Sequence, residues 1–352
     1  MAIVSPHAGS SRLAGPRGSN GAKVLKAAVI GTGMMGRNHA RVYAQLERAT
    51  LVAAADADPR ALEAIARTYK VQVYTDYEQM LDEVKPDLVS IAVPTRLHRE
   101  VATTVMKRGV HTFLEKPIAS TVEEGQKIVD CARSAGVKLA VGHIERFNPA
   151  VIELKKQLDA GHLGRIFQLH ARRVGPFPPR IEDVGVVIDL ATHELNLLEY
   201  LTGSRVESVY AEIEREIHAQ HEDLLTGILK LADGAVGILD INWLTPTKIR
   251  ELSLIGERGM FSVNYLTQDL YFYENDYLNG NSEGFAIMGV SEGRRIRHNI
   301  KRKEPLVAEI ESFVDAVERN IEPQISGEEA LRAVLLAERL LESGRKHEVV
   351  YV

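Results

Sequence analysis

The stretch AAVIGTGMMG, residues 27–36, joins a run of small apolar residues to three glycines, Gly31, Gly33 and Gly36. The apolar run predicts a buried β-strand and the following residues predict a helix, which is the context in which a G-x-G-x-x-G motif binds a dinucleotide. In that context Gly31 permits a tight turn, Gly33 lets the backbone approach a pyrophosphate, and Gly36 lets helix and strand pack closely. The alternative is a plain glycine turn with no ligand. Such a turn would not need the strand before it or the helix after it, so the flanking pattern favours dinucleotide binding.

An acidic residue stands where this motif needs one. Asp56 ends the second predicted strand, 20 residues beyond Gly36. A carboxylate there would bind the 2′-hydroxyl of the adenosine ribose and repel a 2′-phosphate, so we expect NAD as the cofactor. Arg60 leaves NADP as the less favoured alternative. Met34 and Met35 lie within the motif and are also expected to contact the cofactor.

The first part of the chain alternates short apolar runs with helical patterns. Runs that are nearly all apolar are typical of parallel strands covered on both faces, so we predict an α/β Rossmann domain with a parallel sheet. Expected helix signals are capping boxes at Thr75 with Glu78 and at Thr121 with Glu124, and a helix stop at Gly136.

After Pro149 the pattern changes. One helix is predicted near 184–202, followed by alternating strands on either side of Asp233-Gly234, a type I′ hairpin signal. Further turns are expected at 256–259 and 279–281, then two helices, the second capped by Ser326 with Glu329, and a last strand in HEVVYV. This pattern predicts an α+β domain with a large, mostly antiparallel, open-faced sheet.

The predicted organisation has three parts. Residues 1–23 are rich in Gly, Ser and Pro and are expected to form a disordered tail, a transit peptide being the alternative. Residues 24–144 form the NAD-binding domain. Residues 145–352 form a domain for substrate binding and oligomerisation.

Composition excludes several classes of partner. The 352 residues are 45% hydrophobic and carry a net charge of −5, which gives no general attraction to nucleic acid or to anionic membranes. No window reaches about 18 consecutive apolar residues, so no membrane span is predicted. Cys131 is the single cysteine, which leaves no internal disulfide and favours a cytoplasmic location.

The chemistry opposite the cofactor is expected at the ends of the strands. The fifth strand ends in Glu115-Lys116-Pro117, at the carboxyl edge where open α/β sheets bind ligands. An ammonium at Lys116 would stabilise a developing alkoxide, and an imidazole at His193 suits a general base near neutral pH. Asp189 and His193 are spaced i, i+4 on a predicted helix, so they share one face. Asp189 could orient the imidazole or bind another sugar hydroxyl.

These motifs together resemble a known family. The glycine stretch, EKP at 115–117, DVGVVIDLATH ending at His193 and the EPLVAEIESFVDAV helix are similar to the glucose-fructose oxidoreductase, inositol dehydrogenase and MocA family of nicotinamide-dependent sugar dehydrogenases. The resemblance covers residues 24–352. It implies that Lys116 contacts the substrate hydroxyl and that His193 is the acid/base. It also implies that the loop holding Pro94, Thr95 and His98 shapes the nicotinamide pocket. Glu115 and Lys116 are likewise expected to contact the cofactor.

Two further segments are similar to those of the family's UDP-N-acetylglucosamine 3-dehydrogenases. They are HIERFNP at 143–149 and RRVGPFPPR at 172–180. Planar guanidinium groups bind phosphate oxygens in pairs, which makes the arginines of these segments candidate clamps for a nucleotide-sugar diphosphate. The candidate substrate-binding residues are Arg146, Asn148, Arg172, Arg173, Arg180, Asp189 and His193. A surface or ion-pair role is the alternative for each arginine.

We therefore expect an NAD-dependent oxidoreductase that oxidises the C3 hydroxyl of a nucleotide sugar and supplies an aminotransferase. A dehydrogenase of a free sugar or inositol is one alternative, and a non-catalytic nicotinamide-binding regulator is another. No metal site is expected, because HEL at 193–195 lacks the second histidine of HExxH at Leu197. The family resemblance implies a homo-oligomer, a dimer or a tetramer.

Overall fold

The computed structural model describes residues 24–178, 181, 184–277 and 290–352. Three predictions fall outside these ranges, namely the tail at 1–23, the role of Arg180 and the turn at 279–281.

The first sheet contains six strands, all parallel. Their order is β3-β2-β1-β4-β5-β6, which places the glycine motif at the point where the order reverses. The parallel sheet is confirmed. The strands are β1 Leu25–Ile30, β2 Ala49–Ala55, β3 Gln72–Tyr74, β4 Leu88–Ile91, β5 His111–Leu114 and β6 Leu139–Val141.

Five helices connect these strands. The predicted N-cap at Thr121 is confirmed, since its hydroxyl accepts from the N–H of Glu124, and Gly136 ends the same helix with φ +66°. The cap predicted at Thr75 is wrong, because Asp76 is the N-cap and its carboxylate accepts from two backbone N–H groups. The helices are α1 Met34–Tyr43, α2 Pro59–Tyr69, α3 Tyr77–Val84, α4 His98–Lys107 and α5 Val122–Ala135.

The second sheet contains nine strands in the order β14-β13-β12-β11-β7-β10-β9-β8-β15. Every neighbouring pair is antiparallel except β7 with β10, so the mostly antiparallel sheet is confirmed. The strands are β7 Ile166–Pro176, β8 Val206–Glu214, β9 Leu224–Leu231, β10 Val236–Asn242, β11 Leu244–Gly256, β12 Gly259–Asn264, β13 Asp269–Tyr277, β14 Val290–Arg297 and β15 Val350–Tyr351.

The hairpin between β9 and β10 is confirmed, but its turn is not type I′. A type I′ turn needs positive φ at both central residues, and of Asp233 and Gly234 only Gly234 has it, at +92°. The N–H of Leu231 donates to Ala235 O and that of Gly234 donates to Leu231 O. These bonds define a three-residue loop in which the glycine forms a bulge.

Helices cover one face of the second sheet. They are α6 Pro149–Asp159, a π-helical turn Val187–Ala191, α7 Thr192–Thr202 and α9 Gly327–Lys346, the last with the predicted capping box at Ser326. The opposite face leaves Ile228 and Ile255 49% and 40% exposed. Among the described helices, none is long and apolar enough to cross a bilayer.

Helix α8, Pro305–Arg319, returns to the first sheet. Leu306, Ile310 and Phe313 pack in the same buried cluster as Val29 of β1 and Tyr43 of α1. The end of the chain thus contributes to the core of the nucleotide-binding half. The division at 144/145 stays a prediction.

Candidate active site

The glycine motif forms the turn between β1 and α1. A Cβ at Gly31, where φ is +86°, would lie 2.5 Å from Ala92 O, and one at Gly36 would lie 1.7 Å from Gly31 O. At Gly33 a Cβ would meet no atom within 4 Å, and no side chain caps the helix. The turn therefore leaves open space at Gly33, at the N-terminus of α1, which fits the pyrophosphate of NAD. Met34, 59% exposed, begins the helix.

Asp56 is held against this loop at the end of β2. Its Oδ2 accepts from the N–H of Thr32 at 2.6 Å and from the Thr32 hydroxyl at 3.0 Å, and its Oδ1 accepts from the N–H of Asp58. These bonds fix a carboxylate where the adenosine ribose lies in a Rossmann domain. Met35, half-buried in the first turn of α1, is the remaining predicted contact of the motif.

Glu115, which follows β5, contacts a histidine of α1. Its Oε1 lies 2.9 Å from Nε2 of His39, whose Nδ1 lies 3.0 Å from Ser90 Oγ. The Ser90 hydroxyl also bonds that of Tyr43 at 2.8 Å. The Glu115 carboxylate is thus part of a buried hydrogen-bond network that connects the end of β5 to α1. Its direct contact with the cofactor stays a prediction.

Lys116 joins the first sheet to the second half of the chain. Its Nζ donates to Asp189 Oδ1 at 2.6 Å and to Asp189 O at 2.9 Å. The two side chains are only 17% and 13% exposed. The Asp189 carboxylate provides the counter-charge that lets the Lys116 ammonium stay charged in this buried position. Lys116 is thereby fixed at the carboxyl edge of the first sheet.

His193 lies beside this ion pair, in the first turn of α7. It is 8% exposed, and its Nδ1 is buried with no hydrogen-bond partner in the described part of the chain. Burial lowers the pKa of His193 well below its usual value, and the charges of Arg173 and Lys116 lower it further. The imidazole is therefore neutral at neutral pH and able to accept a proton.

The helical segment before His193 differs from the prediction. Residues Val187–Ala191 form a π-helical turn, in which the i, i+4 neighbour rule of an α-helix does not apply. The Asp189 carboxylate bonds Lys116, and no hydrogen bond joins Asp189 to His193 within the described ranges. The expectation that Asp189 orients the imidazole is not supported. The N–H of Val187, the first residue of the π-helical turn, donates to the carboxylate of Glu222, so a residue distant in sequence contacts the start of the turn.

Two family models match this chain. The model described as "Oxidoreductase family, NAD-binding Rossmann fold" matches residues 25–143, and the model of the GFO/IDH/MocA C-terminal domain matches residues 151–262.

The chain belongs to the Gfo/Idh/MocA family.

Named relatives include UDP-N-acetylglucosamine 3-dehydrogenase from Acidithiobacillus ferrooxidans, 31% identical over 293 residues, which are 83% of this chain and 88% of that protein. D-glucoside 3-dehydrogenase from Escherichia coli is 31% identical over 258 residues, 66% of this chain and 73% of that protein. The solved structure of the Acidithiobacillus enzyme has a TM-score of 0.79 at 28% identity and covers 91% of this chain and 97% of its own.

The chain is thus an NAD-dependent oxidoreductase of the class that acts on CH–OH groups. The alternative of a non-catalytic regulator is not supported.

In this member of the Gfo/Idh/MocA family, His98 ties two loops of the site together. Its Nδ1 lies 2.8 Å from Pro117 O and its Nε2 lies 3.0 Å from Val93 O. Burial lowers the pKa of His98, which favours the neutral imidazole. A neutral imidazole has a single N–H, so His98 donates a hydrogen bond to one of the two carbonyls at a time. The intervening Pro94 caps the short 3₁₀ turn that begins at Thr95. Contact of this loop with the nicotinamide ribose stays a prediction.

The predicted phosphate clamps have protein partners. Arg146 Nη1 lies 3.0 Å from Glu329 Oε2 and its guanidinium stacks on Tyr200, 4.0 Å from the ring centroid. Asn148 caps α6 through the N–H of Ala150. A phosphate at Arg146 would have to displace this ion pair.

Arg172 and Arg173 point to opposite faces of β7, because side chains alternate along a strand. Arg172 pairs with Asp240 at 3.0 Å and is 44% exposed, so the structure does not bring it to the site. Arg173 is buried and bonds Glu194 and Glu145. Its role in phosphate binding also stays a prediction, since both carboxylates already engage it.

His143 is a site residue that sequence reasoning did not single out. It follows β6 at the same carboxyl edge, is 2% exposed and has both ring nitrogens buried without a partner among the described residues. Burial and the charges of Lys116 and Arg146 lower its pKa to about 3. The signal in the sequence was its place two residues after the end of an apolar strand. No group of three or more His, Cys, Asp or Glu in the described ranges is arranged to hold a metal.

Proposed function

We propose that this enzyme oxidises the C3 hydroxyl of UDP-N-acetylglucosamine to a ketone, with NAD as the oxidant. The observation behind the chemistry is the Lys116–Asp189 ion pair beside a neutral His193. The support for the substrate is the relative of that name, which matches 83% of this chain. A 3-keto sugar is the substrate that an aminotransferase needs to form a 3-amino sugar.

The residues divide the work of alcohol oxidation. When bound, NAD accepts a hydride from the alcohol carbon. Lys116 donates a hydrogen bond to the substrate oxygen and stabilises the negative charge that develops there. His193 accepts the hydroxyl proton, which becomes strongly acidic as the carbon is oxidised, so a weakly basic imidazole is sufficient. Asp189 keeps the amine of Lys116 in place.

A dehydrogenase of a free sugar or inositol is the second candidate. It is favoured by one observation, the pairing of Arg146 and Arg173 with protein carboxylates instead of open solvent. The D-glucoside 3-dehydrogenase that matches 66% of this chain is a relative named for a glucoside and not for a nucleotide sugar.

A substrate panel separates the two candidates. The purified enzyme with NAD is given UDP-N-acetylglucosamine, UDP-glucose, N-acetylglucosamine, a methyl glucoside and myo-inositol, with hydroxylamine present to trap any ketone. We expect the highest kcat/KM with UDP-N-acetylglucosamine. Turnover confined to the free sugars or to inositol would reject the nucleotide sugar as substrate.

The position of oxidation needs a labelled substrate. UDP-N-acetylglucosamine carrying deuterium at C3 should transfer the label to the reduced cofactor, as detected by mass spectrometry. Label retained in the sugar would show that another carbon is oxidised.

We also propose a homo-oligomer, dimeric or tetrameric, in which the open face of the second sheet is covered. Ile228 and Ile255 are exposed apolar side chains of that face. Sedimentation velocity of the wild type and of a variant with aspartate at both positions tests this proposal. A cytoplasmic location is part of the same proposal.

A further inference from the structure

Arg250 of β11 is a buried cation that forms no ion pair with any residue that the structure describes. It pairs across the sheet with Arg173 of β7, so both side chains point to the helix-covered face. Three arginines are buried in the described residues, Arg146, Arg173 and Arg250. The first two have carboxylate partners, whereas Arg250 has no ion pair in the described part of the chain. Buried charges in proteins are ordinarily paired, which makes Arg250 a candidate ligand-binding group.

The backbone holds this guanidinium by one end only. Arg250 Nη1 donates to Val174 O at 2.6 Å and to Ile249 O at 2.7 Å. Gly175 leaves room beside it, since a Cβ there would lie 3.9 Å from Nη1 and from Nη2. Nε and Nη2 have no hydrogen-bond partner in the described ranges. The N–H groups on these two nitrogens form the edge that binds phosphate or carboxylate oxygens in pairs.

The local charge is positive. Lys248 lies on the same strand and also lacks an ion-pair partner among the described residues. Its side chain is partly exposed, and partial desolvation together with the charge of Arg250 lowers its pKa. Burial and Arg173 lower the pKa of Arg250 to about 10, while the carboxylates of Glu194, Glu145 and Asp189 act in the opposite direction. The backbone of Lys248 and the guanidinium of Arg250 both border Gly175, so an anion there would stabilise the charged form of both side chains.

The cluster lies beside the reacting groups. Arg173, the cross-strand partner of Arg250, donates to the carboxylate of Glu194, the residue that follows His193 in α7. The charge of Arg250 also contributes to lowering the pKa of His193. The glycine loop between β1 and α1 already accounts for the pyrophosphate of NAD. We therefore expect the positive charge of Lys248 and Arg250 on β11 to serve the substrate and not NAD.

We propose that Lys248 and Arg250 bind the diphosphate of a nucleotide-sugar substrate. The assignment of the anion rests on the proposed function. A carboxylate on the sugar would satisfy the same cations, and the experiment distinguishes the two sources.

The test measures binding without catalysis. Calorimetry of the NAD-loaded enzyme with UDP, and separately with glucuronate, is compared for wild type, Arg250→Gln, Lys248→Gln and Arg258→Gln. Arg258 is the matched control, because it is exposed and its Nη1 also donates to a backbone carbonyl, that of Gly161. We expect UDP to bind the wild type, Arg250→Gln to weaken it about tenfold to a hundredfold, and the control to leave it unchanged.

Each outcome decides the proposal. No binding of UDP, unchanged affinity in Arg250→Gln, or dependence on Arg250 for glucuronate alone would overturn the diphosphate assignment. If Arg250→Gln does not fold, Lys248→Gln replaces it, and unchanged UDP affinity there has the same consequence. UDP binding that depends on Arg250 without turnover of UDP-N-acetylglucosamine would reject the proposed substrate and leave the diphosphate site standing.

Discussion

The imidazole rings of His143 and His193 stand perpendicular to each other with their centroids 6.2 Å apart. The two residues come from different strand and helix ends, His143 after β6 and His193 in α7. Burial lowers the pKa of both rings, that of His143 to about 3. Two neutral imidazoles therefore lie next to the cation of Lys116, each able to donate one hydrogen bond and accept one.

Substitution of His193 should separate catalysis from cofactor binding. His193→Ala removes the proposed base, so kcat should fall about 10²-fold to 10⁴-fold while the Kd for NAD stays near the wild-type value. Steady-state kinetics and calorimetry with NAD measure the two effects. His347→Ala, which alters an exposed histidine paired with Glu212, is the control. Unchanged turnover in His193→Ala would remove the histidine from the base role.

Substitution of Lys116 should affect activity and stability by different routes. Lys116→Met leaves the Asp189 carboxylate without its partner and should cost about 3–5 kcal/mol in the free energy of unfolding, as well as at least a hundredfold in kcat. The double variant Lys116→Met/Asp189→Asn should regain most of the stability and none of the activity. Urea unfolding and kinetics are the measurements. Recovery of activity in the double variant would contradict the assigned role of Lys116.

Stability should fall in mild acid because of His143. Its folded pKa of about 3 lies below the ordinary value of 6.5, so below pH 6.5 the unfolded chain binds more protons than the folded one. The stability contributed above pH 6.5 is lost as the pH falls toward 3. For this residue the loss is about 2 kcal/mol between pH 7 and pH 5. Urea unfolding of His143→Phe should show a correspondingly smaller loss, and equal losses in both proteins would refute the prediction.

The glycine motif offers a matched pair of variants. Gly36→Ala places a Cβ 1.7 Å from Gly31 O and should lower the stability by more than about 3 kcal/mol, since the contact is with backbone. Gly33→Ala meets no protein atom within 4 Å and should keep the wild-type Tm, yet weaken NAD binding at least tenfold by entering the space left for the pyrophosphate. Thermal unfolding and calorimetry with NAD test both. A Tm that falls equally in both variants would show that the loop is not open at Gly33.

Predictions from the sequence succeeded where the deciding interaction is local. Gly31 and Gly36 follow from the backbone geometry of one turn, and Gly136 and Thr121 follow from the needs of a single helix end. The hairpin at Gly234 was also predicted, but its type depends on how the two strands align beyond the turn.

Predictions failed where distant residues compete for the same group. Asp189 was expected to act on His193, four residues away, and instead bonds Lys116, 73 residues away. Arg173 is engaged by Glu145 and Glu194, which the sequence did not predict, and its role in phosphate binding stays a prediction. Sequence spacing carries no information about which of several carboxylates reaches a guanidinium, since that choice depends on the packing of α7 against the second sheet.

By itself the sequence determined the Rossmann sheet, the NAD loop and the mostly antiparallel second sheet, because alternation and glycine geometry are properties of short segments. The motifs shared with the family made Lys116 and His193 candidates. Only the tertiary structure decided that Asp189 holds Lys116, that Arg172 faces away, that His143 meets His193 and that Arg250 has no ion-pair partner among the described residues. The physical reason is that a charge is satisfied by whatever group the fold brings within about 3 Å of it, and chain distance does not limit that choice.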